Sequence, residues 1–404
     1  MSGWDITLSV AALPVFLTSG YLALLAALAR RPRQATYGEP RCKFDVIIPA
    51  HDEELGIART VESLLAVDYP QALRRVLVVA DNCQDETASR AVAAGATVLE
   101  RTHAELRGKG YALDFAFAKS RADGFADAVV VVDADSSVSA NLLRAFDAQL
   151  QTGAQALQAN YGVRNPLASW RTRLMTLALA LFNDLRSLGR ERMGLSTGLR
   201  GNGMCFTHAL LASVPHHAYS VVEDLEYGIR IGRAGFRVEY APNAEVKGDM
   251  VASEHASRSQ RERWESGRWT MAQQHATGLL ADGVSQRSAV LVDLGLDLLV
   301  APLSYVVLAA FLLSACAVGL AVAEGTLRLL PVFLLAATDA ALLAYVLRGW
   351  ALSGVGARGL LDLLWAPVFI AWKVMLLLSG KGRSKKEWVR TTREGETKRH
   401  GTGT

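Results

Sequence analysis

Apolar and polar residues alternate in blocks along the chain, and each kind of block predicts a different structure. Between residue 44 and about residue 242, short apolar runs alternate with longer amphipathic ones. This rhythm is typical of βαβ units and predicts an α/β domain with a mostly parallel sheet. Apolar, β-branched runs predict strands buried on both faces at residues 44–48, 76–80 and 129–132. The amphipathic segments predict helices at residues 53–66, 85–94 and 110–121.

Long apolar stretches on either side of this region predict membrane helices. Residues 6–28 match the roughly 20 residues that span a bilayer. They lack a basic region ahead of them and a clear cleavage site, which favours a retained anchor over a removed signal peptide. Three arginines follow and favour the cytoplasmic side for what comes next; they are Arg30, Arg31 and Arg33. Residues 300–323 and 327–347 are further candidates for crossing.

Two other stretches predict helices at the membrane interface. The segment before residue 300 carries Asp293 and Asp297, which favours an interfacial lead-in helix. Residues 360–378 precede a basic tail, and a third crossing there would leave that tail outside, so we favour an interfacial helix. The predicted organisation is an anchor (1–33), a cytoplasmic catalytic domain (43–283), membrane and interfacial helices (284–380) and a basic tail (381–404).

Composition agrees with a chain that is partly soluble and partly in a membrane, at 51% hydrophobic and 20% charged residues. The net charge is only +4, and the basic residues are not interleaved with aromatic ones, so nucleic acid is not an expected partner. The four cysteines lie far apart without CxxC spacing, which predicts neither a zinc site nor a disulfide framework.

The most informative polar residues are Asp133 and Asp135, which follow the buried run at 129–132. Ligands of open α/β sheets bind beyond the carboxyl ends of the strands. Paired carboxylates there can hold Mg²⁺ or Mn²⁺ against phosphate oxygens. An isolated DxD is more often a solvated turn, so the prediction depends on the neighbouring segments.

Other predicted strand ends and helix starts carry suitable groups. Glu53 and Asp81 can accept hydrogen bonds from a base and a ribose, and Lys109, between two glycines at a helix start, can face a pyrophosphate. Each also has a structural interpretation, as a helix-start acid, a turn former or a common GKG sequence. His51 is expected to be a structural histidine.

Two later segments supply groups for sugar transfer. Inverting transfer needs a carboxylate that takes the acceptor proton, and Asp224, beside Glu223, is the candidate base. The alternative is an acid pair that favours a helix N-terminus. Trp264 offers a flat face to a sugar ring, and Gln260 and Arg263 extend from one helical face.

The ordered set PAHDEE, ADNCQDET, GKG, DAD, VED and QRERW resembles the membrane-bound branch of the family 2 glycosyltransferases, which includes cellulose, chitin and hyaluronan synthases and ceramide glucosyltransferases. The resemblance covers about residues 44–269. It implies a GT-A type fold flanked by transmembrane and interfacial helices.

The resemblance also implies roles for the residues. Glu53 and Asp81 would contact the nucleoside, Lys109 and Asp133 the donor, and Asp133 and Asp135 the metal, with Asp224 as base beside Glu223. The diphosphate and acceptor side would contain Gln260, Arg263 and Trp264, with Asn202 as a weaker candidate. The tail residues Arg390 and Arg393 are similar in position to a gating loop of cellulose synthases.

These observations predict an inverting enzyme in the inner (plasma) membrane that transfers a sugar from a nucleotide sugar, a UDP-sugar, to a lipid-linked or glycan acceptor. One alternative is a processive polysaccharide synthase, which would need a homo-oligomer or an export partner because few crossings follow the domain. Another is a non-catalytic membrane subunit that binds nucleotide. The sequence leaves the donor sugar, the acceptor and the oligomeric state open.

Overall fold

A computed structural model describes residues 3–32, 36–249, 254–326, 328–365 and 367, with the backbone alone for 254–262. The strands are β1 (Phe44–Ala50), β2 (Arg74–Asp81), β3 (Thr97–Arg101), β4 (Ala128–Val131), β5 (Ser136–Val138), β6 (Ala156–Val163), β7 (Met204–Thr207) and β8 (Val238–Gly248). The helices of the α/β region are α2 (Ile57–Leu65), α3 (Thr87–Ala93), α4 (Lys109–Asp123), α5 (Leu142–Gln151), α6 (Trp170–Leu179), α7 (Arg186–Arg192), α8 (His208–Ser213) and α9 (Glu223–Arg233).

The remaining helices are α1 (Gly3–Leu28), α10 (Glu254–Ser285), α11 (Ala289–Leu299), α12 (Leu303–Glu324), α13 (Leu329–Ser353) and α14 (Gly356–Asp362). Short 3-10 turns lie at Gln71–Leu73 and Leu363–Trp365, and a π-helical turn, Ala180–Leu185, joins α6 to α7.

The eight strands form one mixed sheet in the order β3-β2-β1-β4-β7-β6-β8-β5. The first half is parallel, as the sequence predicts, since β1 pairs in parallel with β2 and β4, and β2 with β3. The second half mixes directions: β7 is antiparallel to β4 and β6, β8 is parallel to β6, and β5 is antiparallel to β8. The three predicted strands and three predicted helices of the first half are all present, within a few residues of their expected ends.

Apolar cores cover both faces of the sheet. Along β1, Val46 and Ile48 face the core with α2, α3 and α5, whereas Ile47 faces the core with α4, α8 and α9. Each of these strand residues exposes at most 1% of its surface, as the apolar runs predict. Burial on both faces leaves the strand ends as the sites where polar side chains can gather.

Three of the described helices are long and apolar enough to cross a membrane: α1, α12 and α13. Two glycines bring this helical group close to the α/β region. A Cβ on Gly189 of α7 would lie 2.6 Å from the carbonyl oxygen of Leu25 in α1, and one on Gly349 of α13 would lie 2.1 Å from Leu181 Cδ2. The backbones therefore meet where only hydrogen fits.

Helix α11 presents its polar side to the protein. Asp293 and Asp297 are buried, whereas Leu296 and Leu299 are about half exposed. Leu291, Leu294 and Leu298 are buried with the acids, so α11 packs one face on the fold and, of its leucines, exposes only Leu296 and Leu299, which is compatible with the predicted interfacial helix. Of the predicted helix at 360–378, the structure describes α14 and the turn after it, where Asp362 pairs with Arg173 at 2.5 Å; the remainder lies outside the described residues.

Candidate active site

The acid pair lies at the carboxyl end of β4, where the parallel half of the sheet meets the mixed half. Asn202 holds this segment: its side-chain oxygen accepts a hydrogen bond from the Asp133 amide (3.1 Å), and its amide donates to Ser136 Oγ (2.8 Å). Asn202 is fully buried. Both ends of its side chain thus contact the segment that carries the acids, and the acceptor-side role that the family resemblance implies for Asn202 stays a prediction.

Lys109, the first residue of α4, lies at the centre of the charged groups. Its Nζ donates to Asp133 Oδ1 and to the carbonyl oxygen of Gly201, both at 2.6 Å, and lies 3.6 Å from Glu223 Oε1. Helix α4 can approach this closely because of Gly110, where a Cβ would lie 2.2 Å from the Ala218 carbonyl oxygen. The structure thus joins three separately predicted segments around one ammonium group.

The second acid pair, Glu223 and Asp224, opens α9, where the helix dipole favours negative charge. Burial nevertheless raises the pKa of both carboxyls, that of Glu223 to about 7, against the opposing effect of Lys109. Burial likewise raises the pKa of Asp133, with Asp135 adding to the rise. Among the described residues, four carboxyls therefore share a cleft in which Lys109 is the paired cation.

A glycine loop completes the wall between the two acid pairs. Gly201 and Gly203 have φ values of 76° and 70°, a region that favours glycine. A Cβ on Gly201 would lie 3.4 Å from Asp224 Oδ2 and 3.6 Å from Lys109 Nζ. The loop therefore lies directly against the candidate base.

The predicted nucleoside end lies at the ends of β1 and β2. Asp81 is 1% exposed, and its Oδ1 accepts hydrogen bonds from Arg101 (2.5 Å) and Asn82 (3.1 Å). Its Oδ2 is buried and has no hydrogen-bond partner among the described residues. His51 Nδ1 forms a hydrogen bond with the Asp81 carbonyl oxygen at 2.7 Å, a contact compatible with the structural role expected of it. The Glu53 amide donates to Thr87 Oγ1 at 2.7 Å, which fixes its loop to the next one.

Helix α10 brings the QRERW segment to this cleft. Arg263 acts electrostatically on Glu223, and its Nε is buried without a hydrogen-bond partner among the side chains that the structure describes. Trp264 is 37% exposed. Gln260 lies in the same helix, but its side chain is outside the described part, and Arg390 and Arg393 lie outside the described residues altogether.

A second charged cluster was not predicted from the sequence. Asp297 forms ion pairs with Arg186 (3.3 Å), with Arg268 (3.1 Å) and with Arg190, which also lies 2.9 Å from Asp293. Arg200, in the glycine loop, stacks on Phe182 at 4.3 Å. The available signal was the pair of acids four residues apart in an apolar helix, but their partners lie about 100 positions away in sequence.

Comparisons with known proteins agree with this geometry. The model for the family described as "Glycosyltransferase like family 2" matches residues 40–267, more than half of the chain. The chain belongs to this family. A β-monoglucosyldiacylglycerol synthase of Synechocystis is 28% identical to this family 2 glycosyltransferase over 231 residues, 55% of this chain and 47% of that protein. A probable glycosyltransferase of Bacillus subtilis, YdaM, is 24% identical over 50% of this chain and 49% of its own.

The chain thus spans about half the length of the curated relatives it matches. Among solved structures, the mannosyltransferase PcManGT from Pyrobaculum calidifontis, in complex with GDP-Man and Mn²⁺, superposes with a TM-score of 0.51 at 17% identity, covering 83% of this chain and 96% of that one. This likeness confirms the GT-A type fold of the family 2 glycosyltransferase.

Proposed function

We propose that this protein is an inverting glycosyltransferase that moves a sugar from a UDP-sugar to a lipid-linked acceptor at the cytoplasmic face of the inner membrane. One observation carries the proposal: the ammonium group of Lys109 lies within 3.6 Å of the carboxylates of both Asp133 and Glu223. These groups come from a strand end and two helix starts, which is the arrangement of a ligand site and not of a solvated turn.

The nucleoside end is supported by an unused acceptor. Asp81 Oδ2 is buried without a partner among the described residues, and leaving such an oxygen unpaired costs about 1–3 kcal/mol. A ring N–H of the donor base would supply the missing hydrogen bond. Arg101, which holds the other oxygen of Asp81, would keep the carboxylate oriented towards the base.

The diphosphate end has both a cationic donor and an acid pair suited to a metal. Arg263 Nε is buried and unpaired among the described side chains, so it can donate to a phosphate oxygen. Asp133 and Asp135 would hold Mg²⁺ or Mn²⁺, because hard divalent cations prefer carboxylate oxygens and four carboxyls outnumber the lysine in this cleft. When bound, the metal would neutralise charge on the leaving diphosphate.

The reaction follows from the position of Asp224. Its carboxylate would take the proton of the acceptor hydroxyl as that oxygen attacks the anomeric carbon. The bond from the anomeric carbon to the diphosphate oxygen breaks, and UDP leaves with the electron pair. Lys109 and Arg263 would stabilise the charge that develops on UDP, and Asn202 would keep Asp133 in place.

A lipid acceptor is supported by the surroundings of the site. Helix α10 is followed by helix α11, of which Leu296 and Leu299 face outward, and three apolar helices pack beside the α/β region. The Synechocystis relative is named as a synthase of a glycolipid. We further propose that residues 43–283 form the catalytic domain, that residues 284–380 form the membrane and interfacial helices, and that residues 381–404 form the cytoplasmic tail.

The test is product formation by the full chain in lipid nanodiscs. Purified protein is incubated with labelled UDP-sugars, Mn²⁺ or Mg²⁺ and lipid extract, and UDP and labelled lipid are measured by mass spectrometry. We expect UDP release coupled to one glycolipid that gains a single sugar. A ladder of long products would favour a processive synthase, and UDP binding without any transfer would favour a non-catalytic subunit.

A further inference from the structure

Helix α10 packs through Met271, Ala276 and Leu279 against α9 and α11, and two described ion pairs attach it as well, one near its middle and one near its C-terminal end. Near the QRERW segment, Arg268 donates to the main-chain oxygen of Asp297 and lies 3.1 Å from its Oδ2. Further along the helix, Asp282 lies 3.5 Å from Arg233 of α9, with both side chains about 40% exposed. Only the first of these attachments is close to Arg263 in the sequence.

Asp297 is a firm point of attachment. Its side chain is almost fully buried, and it also pairs with Arg186 and Arg190 of α7. Although burial alone would raise the pKa of Asp297, the surrounding arginines hold it well below the usual range. The carboxylate therefore stays charged and keeps its partners.

The guanidinium of Arg268 is also fixed from the side by an aromatic ring. It lies 5.4 Å from the centre of the Phe182 ring, which Arg186 and Arg200 also contact, at 5.0 Å and 4.3 Å. Cations over an aromatic face are attracted by the ring quadrupole. Arg268 is thus held in both direction and distance, and it adds to the apolar packing of Met271, Ala276 and Leu279 of the same helix.

Arg268 acts on the cleft through the helix and not by direct contact. Arg263 and Arg268 are five residues apart, which places them about 140° apart around an α-helix. Arg263 faces Glu223, and Arg268 faces Asp297. We propose that Arg268 is a positioning residue whose bonds to Asp297 fix the rotation of α10 and so direct Arg263 at the donor diphosphate. This inference rests on the diphosphate role proposed above for Arg263.

The test compares the binding of UDP and UMP by the full chain in nanodiscs with Mn²⁺. UMP lacks the second phosphate, so the ratio of the two dissociation constants reports contacts to the diphosphate. We expect Arg268→Gln to weaken UDP about tenfold, as for a lost hydrogen bond to a charged group, and to leave UMP unchanged. Arg268→Lys, which keeps the charge, should restore part of the difference.

Arg233→Gln is the matched control, since it removes the other ion pair of α10, and its UDP to UMP ratio should equal that of the wild type. Arg263→Gln should by itself raise the ratio of the UDP to the UMP dissociation constant, and adding Arg268→Gln should raise it no further. Equal weakening of UDP and UMP by Arg268→Gln, or the same ratio change in Arg233→Gln, would overturn the positioning role. An unchanged ratio in Arg263→Gln would instead refute the diphosphate role of Arg263, and the positioning role with it.

Discussion

The molecule contains two clusters of buried charged residues: one has more acidic than basic groups, and the other has more basic than acidic groups. In the cleft, Asp133, Glu223 and Asp224 act on Lys109, and Asp135 acts on Asp133. In the second cluster, four arginines (Arg186, Arg190, Arg200 and Arg268) act on Asp297, and Arg190 also pairs with Asp293. The arginines of this cluster donate hydrogen bonds to the Tyr21 and Tyr345 hydroxyls and to main-chain carbonyls, and Arg200 lies on the face of Phe182. These contacts stabilise the positive charge that the two aspartates do not neutralise. In the acid cleft, burial raises the pKa of Asp133, Glu223 and Asp224. The neighbouring Arg263 Nε has no hydrogen-bond partner among the described residues. The comparison teaches that the arginine cluster is balanced mostly by groups of the protein itself, although Arg200 Nε has no hydrogen-bond partner among the described residues, whereas the acid cleft has a surplus of carboxylates that would favour a cationic ligand.

The largest effect that would sharpen this comparison is expected for Asp224→Asn. Loss of the general base should lower the rate of sugar transfer by about 10²–10⁴-fold. UDP affinity should survive, because the base acts on the acceptor. Transfer rates and UDP binding are measured on the same preparation. Asp114→Asn on α4, whose carboxylate meets Tyr219 at 3.1 Å, is the control and should be active; transfer undiminished in Asp224→Asn would disprove the assignment.

Asp135→Ala tests whether the acid cleft is completed by a metal. Removal of this carboxylate should weaken UDP binding by on the order of tenfold to a hundredfold, as expected when a charged contact is lost. Excess chelator should weaken UDP binding to wild type equally and have no further effect on the variant. Calorimetric titration with and without chelator measures both. Equal UDP affinity under all four conditions would assign Asp133 and Asp135 to hydrogen bonding alone.

Asp297→Asn tests whether the arginine cluster is complete. The change leaves three arginines without their shared carboxylate and should lower the free energy of unfolding by about 3–5 kcal/mol. Asp282→Asn removes an exposed pair on the preceding helix, α10, and should cost about 0–1 kcal/mol. Thermal unfolding in nanodiscs compares the two variants. A similar, small loss in both would show that the buried cluster contributes no more than a surface ion pair.

A smaller effect is expected from pH. Because burial raises the pKa of Glu223 from 4.5 to about 7, its contribution to stability is complete below pH 4.5 and is lost as the pH rises to about 7. The melting temperature of the wild type should therefore fall relative to that of Glu223→Gln across this window. Parallel melting curves at pH 5 and pH 8 provide the measurement; a constant difference between the two proteins would contradict the raised pKa.

The acid cleft could be predicted from sequence because its residues follow local patterns. Asp133 and Asp135 end a run of valines, and Glu223 and Asp224 begin a helix, so each position is determined by a few neighbours. The parallel half of the sheet was predictable for the same reason, since β1, β2 and β4 are uniformly apolar.

The arginine cluster could not be predicted in this way. Asp297 pairs with Arg186 and Arg190, more than 100 residues earlier, and no local pattern relates them. In the sequence, Arg190 reads as a surface residue of a short polar helix, yet it is 2% exposed. Strands β6 and β8 were also missed, because partly polar runs such as Asn160–Gly162 lack the apolar continuity of β1.

The contact between Gly189 and Leu25 has a kinetic consequence. Since two backbones meet there at a distance that admits only hydrogen, a swing of the α/β region against helix α1 would first have to separate these two backbones. A lipid acceptor would then reach the enzyme by lateral diffusion, and not through a swing of the domain towards it. The rate of transfer would depend on the number of acceptor molecules per unit area of bilayer, so dilution with inert lipid would slow the reaction at constant bulk concentration.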